Sequence, residues 1–132
     1  MKVYTDAAKG SGVCGFAWKI ILDDGTEMTG SRYVTNEHTS MEAEYYALLD
    51  GLRHANRESE GAVSVYCDCR PMIDKMRVPD GTNECWYQRR RGAHRLLNKF
   101  DSWELNWTPR DNNEDADRLA YEALERGRRS MS

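Results

Sequence analysis

The chain has 132 residues, enough for one domain with a buried core and too few for two, so any function must fit on one sheet with its helices. Charged residues make up 31% of it, but both signs are mixed and the formal net charge is −3, which excludes a disordered polyelectrolyte and a surface that binds polyanions by bulk charge. No apolar run approaches the roughly 18 residues needed to cross a bilayer, and no charged-then-apolar leader precedes the first strand, so a soluble, cytoplasmic protein with no membrane partner is expected.

The stretch Lys2-Val3-Tyr4-Thr5-Asp6-Ala7-Ala8 alternates like a half-buried strand and sets one carboxylate, Asp6, where the pattern runs out, just ahead of the turn Lys9-Gly10-Ser11-Gly12. Two readings of Asp6 stand: turn chemistry at a strand end, or a functional acid. Val13 to Leu22 reads as a long second strand. Asp23-Asp24-Gly25-Thr26 is a hairpin turn by composition, and Glu27 to Val34 returns as a third strand, so these three are antiparallel neighbours. Thr39-Ser40-Met41-Glu42 has the form of a capping box, opening a helix to about Asn56 whose stripe is Met41, Tyr45, Leu48, Leu49, Leu52 and Ala55. Glu44 sits at the edge of that stripe, either as a rim carboxylate with a wet head or as a second functional acid.

Ala62 to Cys67 is a β-rich run, and the helix before it implies a parallel crossover beside the first strand. Asp68 falls at its carboxyl end, where ligands gather in open α/β sheets, and it or Cys69 also suits the start of a short helix running through Pro71 to about Arg77. Val78 to Thr82 is a turn. From Asn83 to Phe100 a helix carries Trp86, Leu96, Leu97 and Phe100 as docking residues, with the block Arg89-Arg90-Arg91 as either a solvated face or a phosphate-tracking ridge. Ser102 to Thr108 alternates as a final strand ended by Pro109. A last helix follows with Asn112 as N-cap, a buried face of Ala116, Leu119, Ala120, Ala123 and Leu124, and Asp117 beside that face; residues 126–132 read as a frayed basic tail. The four cysteines, Cys14, Cys67, Cys69 and Cys85, have no zinc-finger spacing, and Cys67 reads as a small buried hydrophobe in a reducing compartment. His38, His54 and His94 are scattered and form no metal pair; motifs for nucleophilic triads and nucleotide cradles are missing.

The order of three strands, helix, strand, helices, strand and helix, with acids on the first strand, first helix, fourth strand and last helix, resembles the ribonuclease H fold. The local wording carries the same resemblance: Tyr4-Thr5-Asp6 before a glycine turn, Ala43-Glu44-Tyr45-Tyr46-Ala47-Leu48, Val65-Tyr66-Cys67-Asp68, and Trp107-Thr108-Pro109-Arg110 leading to Ala116-Asp117-Arg118-Leu119-Ala120. The chain is similar to the type 1 ribonucleases H, nearer their compact prokaryotic branch, over nearly all of its length. That resemblance implies an α/β domain spanning residues 1–132, with a five-stranded mixed sheet, its first strand central and helices on both faces. It implies that Asp6, Glu44, Asp68 and Asp117 gather around two Mg²⁺ ions, for which Mn²⁺ substitutes, with the Asp6 position shared between them. The activity implied is hydrolysis of the RNA strand of RNA–DNA hybrids by a monomer, leaving 5′-phosphate and 3′-hydroxyl ends. Gly10, Ser11, Gly12, Ser40, Arg70, Arg89, Arg90, Arg91 and Arg110 are the expected nucleic-acid contacts.

The chain departs from the family in four places, one being a shortened glycine loop for which Gly10, Ser11 and Gly12 are the nearest equivalents. The loop before the last acid offers Arg110, Asp111, Asn112 and Asn113 where many relatives carry a mobile histidine; Ser40 and Met41 stand where relatives often have two asparagines; and the basic handle of some bacterial members is missing. A ribonuclease H-fold module that binds nucleic acid or protein without catalysis is the alternative, against which the retention of four mutually repelling carboxylates speaks. The sequence leaves double-stranded RNA or DNA open as an alternative substrate of the same metal centre.

Overall fold

Alternation from Lys2 onward makes β1 (Lys2–Gly10), which in the computed structural model lies at the centre of a five-stranded sheet. The structure describes residues 1–35, 39–77 and 87–131. On one side β1 pairs antiparallel with β2 (Val13–Ile21), which pairs antiparallel with β3 (Glu27–Val34). On the other it pairs parallel with β4 (Ala62–Cys67), which pairs parallel with β5 (Ser102–Trp107), giving the order β3-β2-β1-β4-β5. The antiparallel half follows from tight turns. Gly10 pairs with Val13, leaving Ser11 and Gly12 as a two-residue loop, and both take positive φ, 55° and 76°, as a type I′ hairpin demands.

The parallel half needs crossovers. α1 (Ser40–Glu58) joins β3 to β4, α2 (Arg70–Arg77) and α3 (Tyr87–Leu97) precede β5, and α4 (Glu114–Ser130) follows it after a 3-10 turn at Arg110–Asn112. The expected capping box starts α1: Glu42 N donates to Thr39 Oγ1 and Thr39 N donates to Glu42 Oε1, each at 3.1 Å. The helix runs two residues beyond the expected Asn56.

Trp18 and Gly15, three apart on β2, face opposite sides of the sheet. On the Trp18 side Tyr45, Leu48, Leu52 and Ala55 of α1 pack with Val3, Trp18, Ile20 and Val65 into the main core. Gly51 permits the close approach, since a Cβ there would stand 3.1 to 3.3 Å from Trp18, Thr5 and Val3. On the Gly15 side α4 lays down Ala116, Ala120, Ala123 and Leu124, all buried; Leu119, expected among them, is only half-buried.

Two expectations about α4 need correction. Its N-cap is Asn113, one residue later than expected, because Arg110–Asn112 is taken up by the 3-10 turn. Residues from Arg126 are not a frayed tail: the helix continues to Ser130, Gly127 is buried against Val13 and Tyr33, Arg126 donates to Ser31 Oγ at 2.9 Å, and Arg128 lies against Gly10. The long third strand and the hairpin anchor these turns. The turn at Val78–Thr82, the helix start from Asn83, the docking of Trp86, and Cys85 and His38 lie outside the described residues. Among the described residues no helix is long and apolar enough to cross a membrane.

A methyl group at Gly15 would collide with the backbone of Ala120 and stand 2.5 Å from Leu124 N, and backbone of a helix so held cannot yield as a flexible side chain does. Gly15→Ala should therefore destabilise the protein by about 3 kcal/mol in chemical denaturation, at the upper end for overpacking; a loss below about 1 kcal/mol would mean that α4 lifts off the sheet easily.

Candidate metal centre

Register brings the acids together. β1 continues to Gly10, so Asp6 sits mid-strand opposite Ala17 and not at the strand end where the alternation suggested. β4 leaves the ladder at Cys67, level with Thr5, so Asp68 emerges beside Asp6. Glu44, in the second turn of α1, is buried because that helix lies close on β1. Asp117 is positioned by Asn113, whose Nδ2 donates to Thr5 O at 2.9 Å; one helical turn later Asp117 N donates to Asn113 O at 3.0 Å. Asn113 is 2% exposed and uses its amide on β1, which is why it makes no side-chain cap to α4.

Asp6 is 2% exposed; its Oδ1 accepts from Ala7 N at 2.9 Å, and its Oδ2 is buried with no hydrogen-bond partner. Burial first, then the Glu44 charge, the neighbouring Asp117 carboxyl and the Asp68 charge push the Asp6 carboxyl up to about 9. Glu44 is pushed up to about 7 by burial and then by Asp68. Arg110 Nε lies 3.5 Å from Asp68 Oδ2, and the charges of Asp68, Asp117 and Asp6 hold its guanidinium more firmly protonated. The four acids are thus one electrostatic unit with a single arginine at its rim.

Among the described residues, one group of three ligand atoms comes within 4.8 Å of one another: an oxygen of Glu44, one of Asp68 and Sγ of Cys67. Asp6 and Asp117 lie outside that tight set but interact with it and with each other electrostatically. Cys67 is buried, as expected, and its Sγ also stands 3.5 Å from Glu44 Oε2 while accepting from Cys69 N at 3.3 Å. Burial, then the Glu44 charge, raise its thiol well above the usual range. Sequence reasoning missed two site residues, Cys67 and Asn113. The only signal for the second was a pair of asparagines ahead of a helix.

The expected nucleic-acid contacts divide. Arg110, 76% exposed, is at the acids themselves. Ser40 and Ser11 are exposed, and Gly12 is half-buried in the hairpin. One side of Gly10 is covered by Arg128. Arg70, two residues after Asp68, stacks on the exposed ring of Trp107 at 4.1 Å. Arg89 Nη2 donates to Tyr46 Oη at 2.7 Å and pairs with Glu42 at 3.3 Å, so Glu42 and Glu44 face different ways on α1. Arg91 is exposed. Arg90 is a correction: it is 5% exposed, and its Nε donates to Lys75 O at 3.0 Å, tying α3 to α2 instead of meeting solvent.

The family model described as reverse transcriptase-like matches residues 4–123. The chain belongs to that family. It is 29% identical over 124 residues to ribonuclease HI of Halobacterium salinarum (strain ATCC 700922 / JCM 11081 / NRC-1), an alignment covering 92% of this chain and 62% of that protein, so it spans under two thirds of the curated relative it matches. It superposes with a TM-score of 0.84 on the crystal structure of RNase H1 from the halophilic archaeon Halobacterium salinarum NRC-1, at 28% identity over 94% of this chain and 96% of that one. LC11-RNase H1, solved in complex with an RNA/DNA hybrid, also gives 0.84, covering 99% of each chain at 21% identity, a likeness of fold. Family and fold are those of the type 1 ribonucleases H.

The raised Asp6 carboxyl has a consequence for stability. Between its ordinary value of 3.8 and about 9 the folded chain holds a proton that the unfolded chain has released, so stability falls as pH rises through that window. In EDTA the melting temperature should drop steadily from pH 5 to pH 9; Asp6→Asn should flatten the profile, and millimolar MgCl₂ should restore most of the loss above pH 7. A flat profile for the parent chain would mean that the acids do not share one buried charge.

Proposed function

We propose that this chain is a metal-dependent endonuclease that hydrolyses the RNA strand of RNA–DNA hybrids. The observation that carries the reading is the electrostatic coupling of Asp6 on β1, Glu44 on α1, Asp68 just past β4 and Asp117 on α4, with Asp6 Oδ2 buried and without a hydrogen-bond partner. A fold gains nothing by desolvating acids that repel one another unless a cation joins them. The oxygen donor set fits Mg²⁺, with Mn²⁺ able to replace it, and the four acids would hold two such ions. The ions would supply an activated water, charge compensation at the scissile phosphate and a stabilised 3′ oxygen, giving 5′-phosphate and 3′-hydroxyl ends.

The chain's own residues bind and orient the substrate. Arg110, exposed and beside Asp68, is placed to take a phosphate oxygen where relatives of the family carry histidine. Arg70 on Trp107, two residues after Asp68 in the chain, offers a flat cationic surface. The Ser11-Gly12 hairpin follows β1, and exposed Ser40 opens α1 one turn before Glu44, so backbone and hydroxyl groups of both are offered to the nucleic acid. A monomer acting in the cytoplasm completes the reading. The related LC11-RNase H1 was solved with an RNA/DNA hybrid, which supports the same substrate class here.

The direct test is the purified protein with MgCl₂ or MnCl₂ against labelled RNA–DNA hybrid, duplex RNA and duplex DNA, with end-group analysis of the products. Asp6→Asn or Asp68→Asn should leave the fold intact and cost several kcal/mol of transition-state stabilisation, roughly 10³-fold in kcat. Glu44→Gln should do the same, whereas Glu42→Gln should cost only about 1 kcal/mol of stability through the capping box and leave kcat near the parent's. Turnover by the Asp6 or Glu44 variant within a few-fold of the parent's would sink the metal assignment.

The arginine block separates in the same assay. Arg91→Ala should raise KM for hybrid and lower the slope of log affinity against log salt by about one unit, with kcat at saturating substrate unchanged. Arg90→Ala should instead lower the melting temperature by loosening α3 from α2, with little effect on the salt slope. The opposite pattern would place Arg90, not its neighbour, on the nucleic acid.

A further inference from the structure

Cys67 puts a thiol among ligands that are otherwise oxygen. A tetrahedral ion with metal–sulfur and metal–oxygen distances of about 2.3 and 2.1 Å sets the two donor atoms about 3.6 Å apart. Cys67 Sγ and Glu44 Oε2 stand 3.5 Å apart, and an oxygen of Asp68 completes a group within 4.8 Å. Asp6 Oδ2, buried and unpartnered, is within charge contact of Glu44 and Asp68 and offers a further oxygen. The backbone fixes the thiol in place, because Cys69 N donates to it at 3.3 Å.

We propose that Glu44, Cys67 and Asp68 form a binding site for a thiophilic divalent cation, Zn²⁺ or Cd²⁺, which competes with the hard cation for the same carboxylates. The inference rests on reading those acids as a metal centre. Mg²⁺ takes oxygen and leaves the thiol untouched, while a softer ion prefers sulfur: as its bond to Sγ forms, the S–H bond breaks and the proton passes to solvent. An ion so held draws Glu44 and Asp68 toward sulfur and away from the arrangement that serves hydrolysis, so it is an inhibitor.

The test uses the whole chain, stripped of metal and titrated with CdCl₂, reading the thiolate-to-cadmium charge-transfer absorbance in the ultraviolet. The parent should saturate with one cadmium per chain. The band should persist in the triple variant Cys14→Ser/Cys69→Ser/Cys85→Ser, vanish in Cys67→Ser, and require tenfold or more cadmium in Glu44→Gln, on the order of what weakened ligand shells cost. Excess MgCl₂ should shift the titration to higher cadmium. No band in the parent, a band that survives Cys67→Ser, or one indifferent to Mg²⁺ overturns the proposal; should Cys67→Ser fail to fold, the triple variant decides, since it keeps only this thiol. Absorbance needs no turnover, so the two readings fail separately: an active nuclease without the band loses the soft-cation site alone, and a band in a chain inert toward hybrid loses the nuclease reading alone.

Discussion

The repulsion and desolvation of buried carboxylates is the constraint to which the rest of this structure answers. Left to themselves Asp6, Glu44, Asp68 and Asp117 would turn toward water, and the raised proton affinities of Asp6 and Glu44 reflect how strongly those two resist enclosure. What holds them is backbone geometry set by contacts elsewhere. Gly51 seats α1 on β1 and carries Glu44 inward; the end of the β1–β4 ladder at Cys67 fixes where Asp68 leaves; Gly15 admits α4, and Asn113 sets the turn from which Asp117 hangs. Each contact is an apolar packing or backbone hydrogen-bond term, and together they outweigh the charge they confine. The strain is local, while the stability that tolerates it is spread over both faces of the sheet.

How much of this could be read from the sequence depended on whether a residue's role was set by neighbours along the chain or across it. The strands, the capping box at Thr39 and the crossover before Ala62 declare themselves through periodicity and turn chemistry, which are local. The four acids were legible because each broke an apolar pattern within its own element. Asn113 was not, since its partner, Thr5, is 108 residues away and an asparagine ahead of a helix already has a local explanation as a cap. The end of α4 failed for a similar reason: a run of arginines and serines reads as a solvated tail until the hairpin and β3 are placed beneath it. Arg90 shows the limit from the other side, because three adjacent arginines look equivalent in sequence yet point around about 200° of helix, and one must meet the protein. Asp50, in the middle of α1, looks like a surface residue but is buried, accepting from Trp18 Nε1 at 3.0 Å.

Arg110 is a charge of opposite sign that the chain itself sets beside these acids. Its guanidinium sits 3.5 Å from Asp68 and answers to three of the four acids, yet its side chain is 76% exposed. An ion pair so open to water is worth little on its own, so the arginine tempers the charge of the site and still releases Asp68 at small cost. A buried lysine or histidine in the same place would have neutralised the acids more completely and blocked them. Arg110 stands at the rim on a 3-10 turn with no buried residue, so its guanidinium meets Asp68 while staying open to solvent. The proposed chemistry needs both properties, acids whose repulsion is tempered and whose oxygens stay open to a cation.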